Sequence, residues 1–130
     1  MRESNISIAI KGDKAIKILG WQEDLFTAAT NLIENSIYWL NLSDKKNKEI
    51  EIGISDSAES ILIDYRDNGP GLSATEIETD IIFEPGYSKK HNGTGLGLAI
   101  AGEAIQRLGG KLIARKSSTG VYFQIEFDKI

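Results

Sequence analysis

Residues 60–71, Ser60-Ile-Leu-Ile-Asp-Tyr-Arg-Asp67-Asn-Gly69-Pro-Gly71, run from an alternating stretch directly into a cluster of chain breakers. Ile61, Ile63 and Tyr65 recur at a period of two, the signature of a strand with one buried face. The same alternation occupies Glu49–Ser55, and Asp56-Ser57-Ala58-Glu59 lies between the two runs. The pair therefore reads as an antiparallel hairpin whose second strand ends on a carboxylate, Asp67, followed by two glycines and a proline. Just beyond, Ser73 with Glu76 three residues later is a capping-box pattern, opening a short helix over 74–79.

Outward from this hairpin, residues 5–10 alternate as a further short strand, followed by a turn at Lys11-Gly12-Asp13. Trp21 to about Leu40 is the longest helical pattern: at about 100° per residue, Leu25, Ala29, Leu32, Ile33, Ser36 and Leu40 share one broad face. Asn41–Lys48 is a polar loop. Phe83–Thr94 is irregular and rich in Gly, Pro, Lys and Asn. Leu96–Leu108 forms another helix, stopped by Gly109-Gly110. Lys111–Lys116 and Val121–Phe127 close the chain as a strand pair around Ser117–Gly120. The order β, α, β, β, short α, loop, α, β, β predicts an α+β fold, a two-layer sandwich with helices on one face of a mostly antiparallel sheet.

At 130 residues the chain suits a single domain spanning 1–130. Its 41% hydrophobic and 26% charged residues are ordinary for a globular protein. With no cysteine there is neither a disulfide framework nor a thiolate metal site, a composition suited to a reducing compartment. The net charge is −4, and the basic clusters (Lys45, Lys46 and Lys48; Lys89 and Lys90) are too short for a nucleic-acid footprint. No apolar run approaches the ~18 residues that span a bilayer, and no signal-peptide pattern begins the chain. The first strand lies so close to Met1 that the chain is expected to be a piece cut from a longer protein.

Three features carry chemistry. Asn31-Leu-Ile-Glu-Asn35 places two amides one turn apart at the edge of the apolar face. An amide oxygen is a hard neutral ligand that suits Mg²⁺, although two solvent-facing asparagines would give the same pattern. Asp67-x-Gly69-x-Gly71 reads as a tight turn, or as a carboxylate accepting the amino hydrogen of adenine while glycines let the ring approach. Gly93-x-Gly95-x-Gly97 opens a helix, and a glycine-rich helix N-terminus offers N–H groups to phosphate. The dinucleotide fingerprint fits poorly, because an irregular loop rather than a strand precedes these glycines, and a Walker A sequence is absent.

The order and spacing of these features, with Phe83-Glu-Pro between the second and third, resemble the N box, first glycine box, F box and second glycine box of histidine kinase catalytic domains. These belong to the ATPase family shared with DNA gyrase, the large heat-shock chaperones and the MutL-type repair proteins. The resemblance spans essentially the whole chain and implies a Bergerat-type ATP-binding fold with ATP and Mg²⁺ as cofactors. By the family's pattern Asn35 binds Mg²⁺ and Asn31 helps position the phosphates, while Asp67 reads adenine in a pocket shaped by Gly69 and Gly71. Phe83 begins a mobile lid carrying Tyr87, Lys89 and Lys90, and the stretch Gly93, Thr94, Gly95, Leu96 and Gly97 wraps the phosphates.

Hydrolytic members of the family carry a glutamate where Asn31 stands, as general base. Asn31 cannot accept a proton at neutral pH. The resemblance thus implies transfer of the γ-phosphoryl group to a histidine on a separate helical dimerisation domain, with a response regulator downstream. Asn31, Lys89 and Lys90 would be the catalytic groups, acting by positioning and charge neutralisation. Glu34 lies about 60° round the helix from Asn31 and is not expected to be a base. His91, the only histidine, lies in the lid and lacks the helical surroundings of a phosphoacceptor. The expected setting is cytoplasmic, with an isolated domain that is monomeric, makes no membrane contact and binds no nucleic acid; whether the parent is membrane-anchored stays open.

Tyr38 stands where many relatives carry a basic residue, and Ser36 replaces a more usual alanine. Gly86-Tyr87-Ser88-Lys89 resembles the nitrogen-regulator or citrate-sensor style of kinase. Trp21 and Trp39 are expected in core or docking contacts. Two other functions fit the same resemblance: a serine kinase of the anti-sigma type, against which Asn31 argues, and an ATP-gated interaction module that transfers nothing.

Overall fold

A computed structural model describes residues 6–12, 22–88 and 95–128. Trp21, Lys89, Lys90, His91, Gly93 and Thr94, all singled out in the sequence, lie outside the described residues. The elements are β1 (Ile6–Gly12), α1 (Gln22–Leu42), β2 (Lys48–Asp56), β3 (Ser60–Asp67), α2 (Ala74–Thr79), α3 (Gly97–Arg107), β4 (Gly110–Arg115) and β5 (Tyr122–Asp128). A single 3₁₀ turn, Ile81–Phe83, follows α2. The five strands form one sheet in the order β1-β2-β3-β5-β4. β1 runs parallel to β2, and every other neighbouring pair is antiparallel. This is the α+β sandwich with a mixed, mostly antiparallel sheet that the alternation predicts.

The turn expected at Lys11-Gly12-Asp13 is not where the first strand stops. Lys11 and Gly12 continue β1, opposite Gly53 and Ile54 of β2. Parallel pairing with a long neighbour outweighs the local turn preference of a Lys-Gly step, which no nearby residue pattern could have announced.

Strands β3 and β5 bury their odd-numbered side chains beneath the helices, whereas β2 and β4 bury even-numbered positions, Ile50 and Ala114 among them. Ile61, Ile63, Tyr65 and Asp67 of β3 and Phe123, Ile125 and Phe127 of β5 are buried, while the residues between them are more open. Above the sheet lie α1, whose buried line is Ala28, Leu32, Ser36 and Leu40, and α3, which buries Ala99, Ala101, Ala104 and Ile105. The buried line of α1 therefore runs through Ala28, with Ala29 beside it. The small residues of α3 let the two helices lie close, and Arg107 near the end of α3 reaches Asp24 near the start of α1 at 2.9 Å. The capping box on α2 forms as predicted: Glu76 N–H donates to Ser73 Oγ (3.1 Å) and Ser73 N–H to Glu76 Oε1 (2.9 Å).

Candidate functional site

Where the sheet's third strand ends beneath α1, the chain leaves a cavity of about 530 Å³. That volume falls in the range of small-molecule sites, roughly 300–1,000 Å³. Its wall draws on α1 (Asn31, Glu34, Asn35 and Trp39), the end of β3 (Asp67), the following loop (Pro70 to Leu72), and the start of α3 with the residues before it (Gly95 to Leu98). Glu76, Ile82, Tyr87, Ser88, Ile100 and Val121 complete it.

Asp67 is 6% exposed, and its carboxylate is held by three donors. Gly69 N–H and Val121 N–H both donate to Oδ1, at 3.0 and 3.1 Å. Ser36 Oγ–H donates to Oδ2 at 2.6 Å. Behind Ser36, the Tyr65 hydroxyl lies 2.7 Å from Ser36 Oγ and 3.0 Å from the Leu32 carbonyl. Burial pushes the Tyr65 phenol well above the ordinary tyrosine value; the Asp67 charge adds to this and the Ser36 hydroxyl offsets part of it. A buried carboxylate with this many donors does not leave a charge uncompensated.

The loop after β3 is built to present that carboxylate. Gly120 has φ +69°. A Cβ there would overlap the Asp67 carbonyl oxygen and lie 2.6 Å from Oδ1. Gly71 fits against Gly120 in turn, where a Cβ would meet its carbonyl oxygen at 2.8 Å. Asn68 faces away from the cavity and ties the loop to β2, accepting from Glu49 N–H at 2.8 Å and donating to the Asn47 carbonyl at 2.7 Å. That is why the pattern reads Asp67-x-Gly69: the intervening residue is a strut.

On α1, the spacing of four puts Asn31, Asn35 and Trp39 in one line along the cavity. Asn31 Nδ2 donates to the Thr27 carbonyl at 2.8 Å. That bond leaves Oδ1 toward the start of α3, where it would sit 3.3 Å from a Cβ at Gly97. Glycine at 97 therefore keeps the helix end open to the amide. Within α1 the Asn35 side chain makes no hydrogen bond to a described residue, so its amide is available to a ligand. Among the described residues no three His, Cys, Asp or Glu side chains gather as a metal cluster. The oxygens on offer are amides, which suit a hard cation that keeps water and phosphate in its shell.

The N-terminus of α3 has no side-chain cap at Leu96. Its first-turn N–H groups have no intrahelical acceptors and carry the positive end of the helix dipole. Across the cavity mouth, Gly86 N–H donates to the Gly95 carbonyl at 2.9 Å, closing the base of the loop between them. Tyr87 O–H donates to Glu76 Oε2 at 2.7 Å, so the capping glutamate of α2 also anchors this loop.

The cavity thus brings together Asn31, Asn35, Asp67, Gly71, Tyr87, Gly95, Leu96 and Gly97 from the sequence-predicted set. Gly69 acts from behind, through its N–H on Asp67. Phe83, expected at the cofactor, turns into the core with its ring 6.0 Å from Phe123. The 3₁₀ turn draws it there, and Ile82 meets the cavity in its place. Trp39, expected in a core or docking contact, lines the cavity. Tyr38 does not; it meets Trp39 edge-on, with ring centroids 5.1 Å apart. Glu34 reaches the wall from an exposed position, and Glu76 and Ser36 are functional candidates for which only the capping and small-residue patterns were visible.

The family model described as histidine kinase-, DNA gyrase B- and HSP90-like ATPase matches residues 20–129. The sensor protein CitS of Halalkalibacterium halodurans is 38% identical over 101 residues, 76% of this chain and 18% of that protein. The chain therefore spans about a fifth of that relative's length. The nucleotide-free catalytic domain of histidine kinase ThkA superposes with a TM-score of 0.79 at 25% identity, covering 96% of this chain and 81% of that one. The same kinase in complex with the response regulator protein TrrA superposes with a TM-score of 0.76 at 23% identity, covering 97% and 35%.

Proposed function

The chain belongs to the histidine kinase-, DNA gyrase B- and HSP90-like ATPase family, and from that membership we propose that it is the ATP-binding catalytic domain of a sensor histidine kinase. It donates the γ-phosphoryl group to a histidine on a separate dimerisation domain, from which a response regulator receives it. The observation that carries this reading is the pairing of Asp67 at the floor of the cavity with two amides, Asn31 and Asn35, on the helix above.

Each residue then has a task. Asp67 Oδ2 accepts the 6-amino hydrogen of adenine, an arrangement that guanine, with a carbonyl at that position, cannot satisfy. The free N–H groups at the start of α3 meet the phosphates. Asn35 presents its amide oxygen to Mg²⁺, which supplies charge neutralisation on the phosphates when bound. Asn31, its Nδ2 engaged by Thr27, accepts through Oδ1 from a water that bridges to the phosphates. Tyr87 and the contact between Gly86 and Gly95 hold the two ends of the stretch that the family pattern makes a lid, and the sequence puts Lys89 and Lys90 within that stretch.

Asn31 also favours transfer over hydrolysis, since an amide takes no proton from water. That argues against the serine-kinase alternative, whose members carry an acid there. The test supplies γ-labelled ATP, Mg²⁺ and a histidine-bearing helical dimerisation domain in trans. Label appearing on the histidine, acid-labile and lost in Asn35→Ala, supports the proposal. ATP turned over rapidly with none transferred would refute it.

A further inference from the structure

The carboxylate that the proposed function assigns to adenine is held by a buried relay whose members the family pattern does not name. A carboxylate offers about four acceptor positions. On Asp67, Oδ1 takes two backbone N–H groups and Oδ2 takes the Ser36 hydroxyl. One position remains, on Oδ2, the same atom that Ser36 grips at 2.6 Å. An adenine amino group entering the cavity therefore shares its acceptor with Ser36.

Ser36 is itself fully buried. An ionised Asp67 can only accept, so the serine proton goes to Oδ2. The serine oxygen is left to accept, and the Tyr65 hydroxyl has one proton to give, to Ser36 at 2.7 Å or to the Leu32 carbonyl at 3.0 Å; the shorter contact is the one to Ser36. Tyr65 is 2% exposed and packs beside Phe123, with ring centroids 6.3 Å apart, so its position is set by the core of the sheet. The result is a one-way chain, Tyr65 to Ser36 to Asp67, in which each bond polarises the next. The two N–H groups on Oδ1 pin one oxygen, but the carboxylate can still turn about it. The third bond, from α1, fixes the plane and hence the direction of the remaining lone pair.

We propose that Ser36, supported by Tyr65, is a positioning residue for nucleotide specificity: it aims the Asp67 Oδ2 acceptor at the 6-amino group of adenine. The inference rests on the ATP-binding reading above. It follows that the serine acts on the part of the affinity that comes from the 6-amino group, and leaves binding of ribose and phosphates untouched.

The probe pair is ATP and purine riboside triphosphate, which carries hydrogen in place of the 6-amino group, each titrated with Mg²⁺ by calorimetry. Wild type should prefer ATP. Ser36→Ala should weaken ATP by roughly tenfold, as for loss of a hydrogen bond to a charged group. Purine riboside triphosphate should change by less than about twofold, so that most of the preference disappears. Tyr65→Phe, which leaves Ser36 in place and spares the fold a buried void, should reduce the preference in the same direction by a smaller factor. A variant that merely loosened the fold would weaken both nucleotides equally, and that result overturns the proposal. So does an unchanged preference in both variants. If wild type binds neither nucleotide, the ATP reading itself fails; if it prefers ATP and the variants do too, that reading stands and only the relay fails.

Discussion

Replacing Gly120 with alanine should damage the protein far more than its place in a loop suggests. Two costs add. The first is conformational: at φ +69° an L side chain costs about 1–2 kcal/mol. The second is steric, because the new Cβ would overlap the Asp67 carbonyl oxygen and stand 2.6 Å from its Oδ1. These are backbone and a pinned carboxylate, neither of which can swing aside. The strands must part, which sacrifices Asp67 N–H to Val121 O (3.2 Å) and Val121 N–H to Asp67 Oδ1 (3.1 Å). At about 1 kcal/mol for the first and about 1.5–3 for the charge-assisted second, the total reaches roughly 4–6 kcal/mol. A native domain has only about 5–15 kcal/mol in hand. For a chain of 130 residues each kcal/mol moves the thermal midpoint by about 4 °C. Gly120→Ala should therefore melt at least about 15 °C lower, or fail to fold. Gly109→Ala is the control: its φ is +80°, yet a Cβ there meets nothing within 4 Å. It should lose only the conformational cost, about 1–2 kcal/mol. Equal losses in the two variants, measured by urea unfolding monitored through circular dichroism, would refute the steric part of the reasoning.

Three further substitutions separate other causes. Gly102 lies inside α3 with open space around its Cα, so Gly102→Ala should raise stability by about 0.5–1 kcal/mol in the same unfolding assay. Tyr65 keeps its proton in the folded state above the pH, about 10, at which an unfolded tyrosine loses it. The native state then binds more protons than the unfolded one, so this contribution is complete below pH ~10 and declines as pH rises further. Stability of the wild type should fall more steeply than that of Tyr65→Phe above pH ~10, by up to ~1.4 kcal/mol per pH unit, in urea titrations at each pH. Tyr87→Phe removes the hydroxyl that donates to buried Glu76 Oε2, and should speed proteolytic cutting of the loop between Tyr87 and Gly95 more than it lowers the global midpoint.

Much of this is legible in the sequence. The alternation of Ile61, Ile63 and Tyr65 named the buried face of β3, and the Ser73 to Glu76 spacing named the start of α2. Asn31, Asp67 and Gly97 could be placed at one site because each is a local signal: a helix edge, a strand end, a helix start. What escaped was non-local. β1 outlasts its apparent turn because its partner is β2, some forty residues on. Ser36 looked like a small core residue, since its partners Tyr65 and Asp67 lie on a strand that only the fold brings beneath it. Trp39 was the one avoidable omission, because the four-residue spacing from Asn31 through Asn35 leads straight to it. Phe83 went the other way: the family pattern suggests the cofactor, and the 3₁₀ turn directs the ring to Phe123.

Adenine recognition by Asp67 is the claim on which the rest depends, and thermal unfolding with Mg·ATP or Mg·GTP, on wild type and Asp67→Asn, tests it directly. A ligand at about 100 times its dissociation constant adds ~2.7 kcal/mol, which shifts the midpoint of a domain this size by about 10 °C. The account predicts that shift for wild type with ATP, little with GTP, and none with ATP for Asp67→Asn relative to its own nucleotide-free midpoint. A wild type indifferent to millimolar ATP, or one shifted as far by GTP, would contradict it.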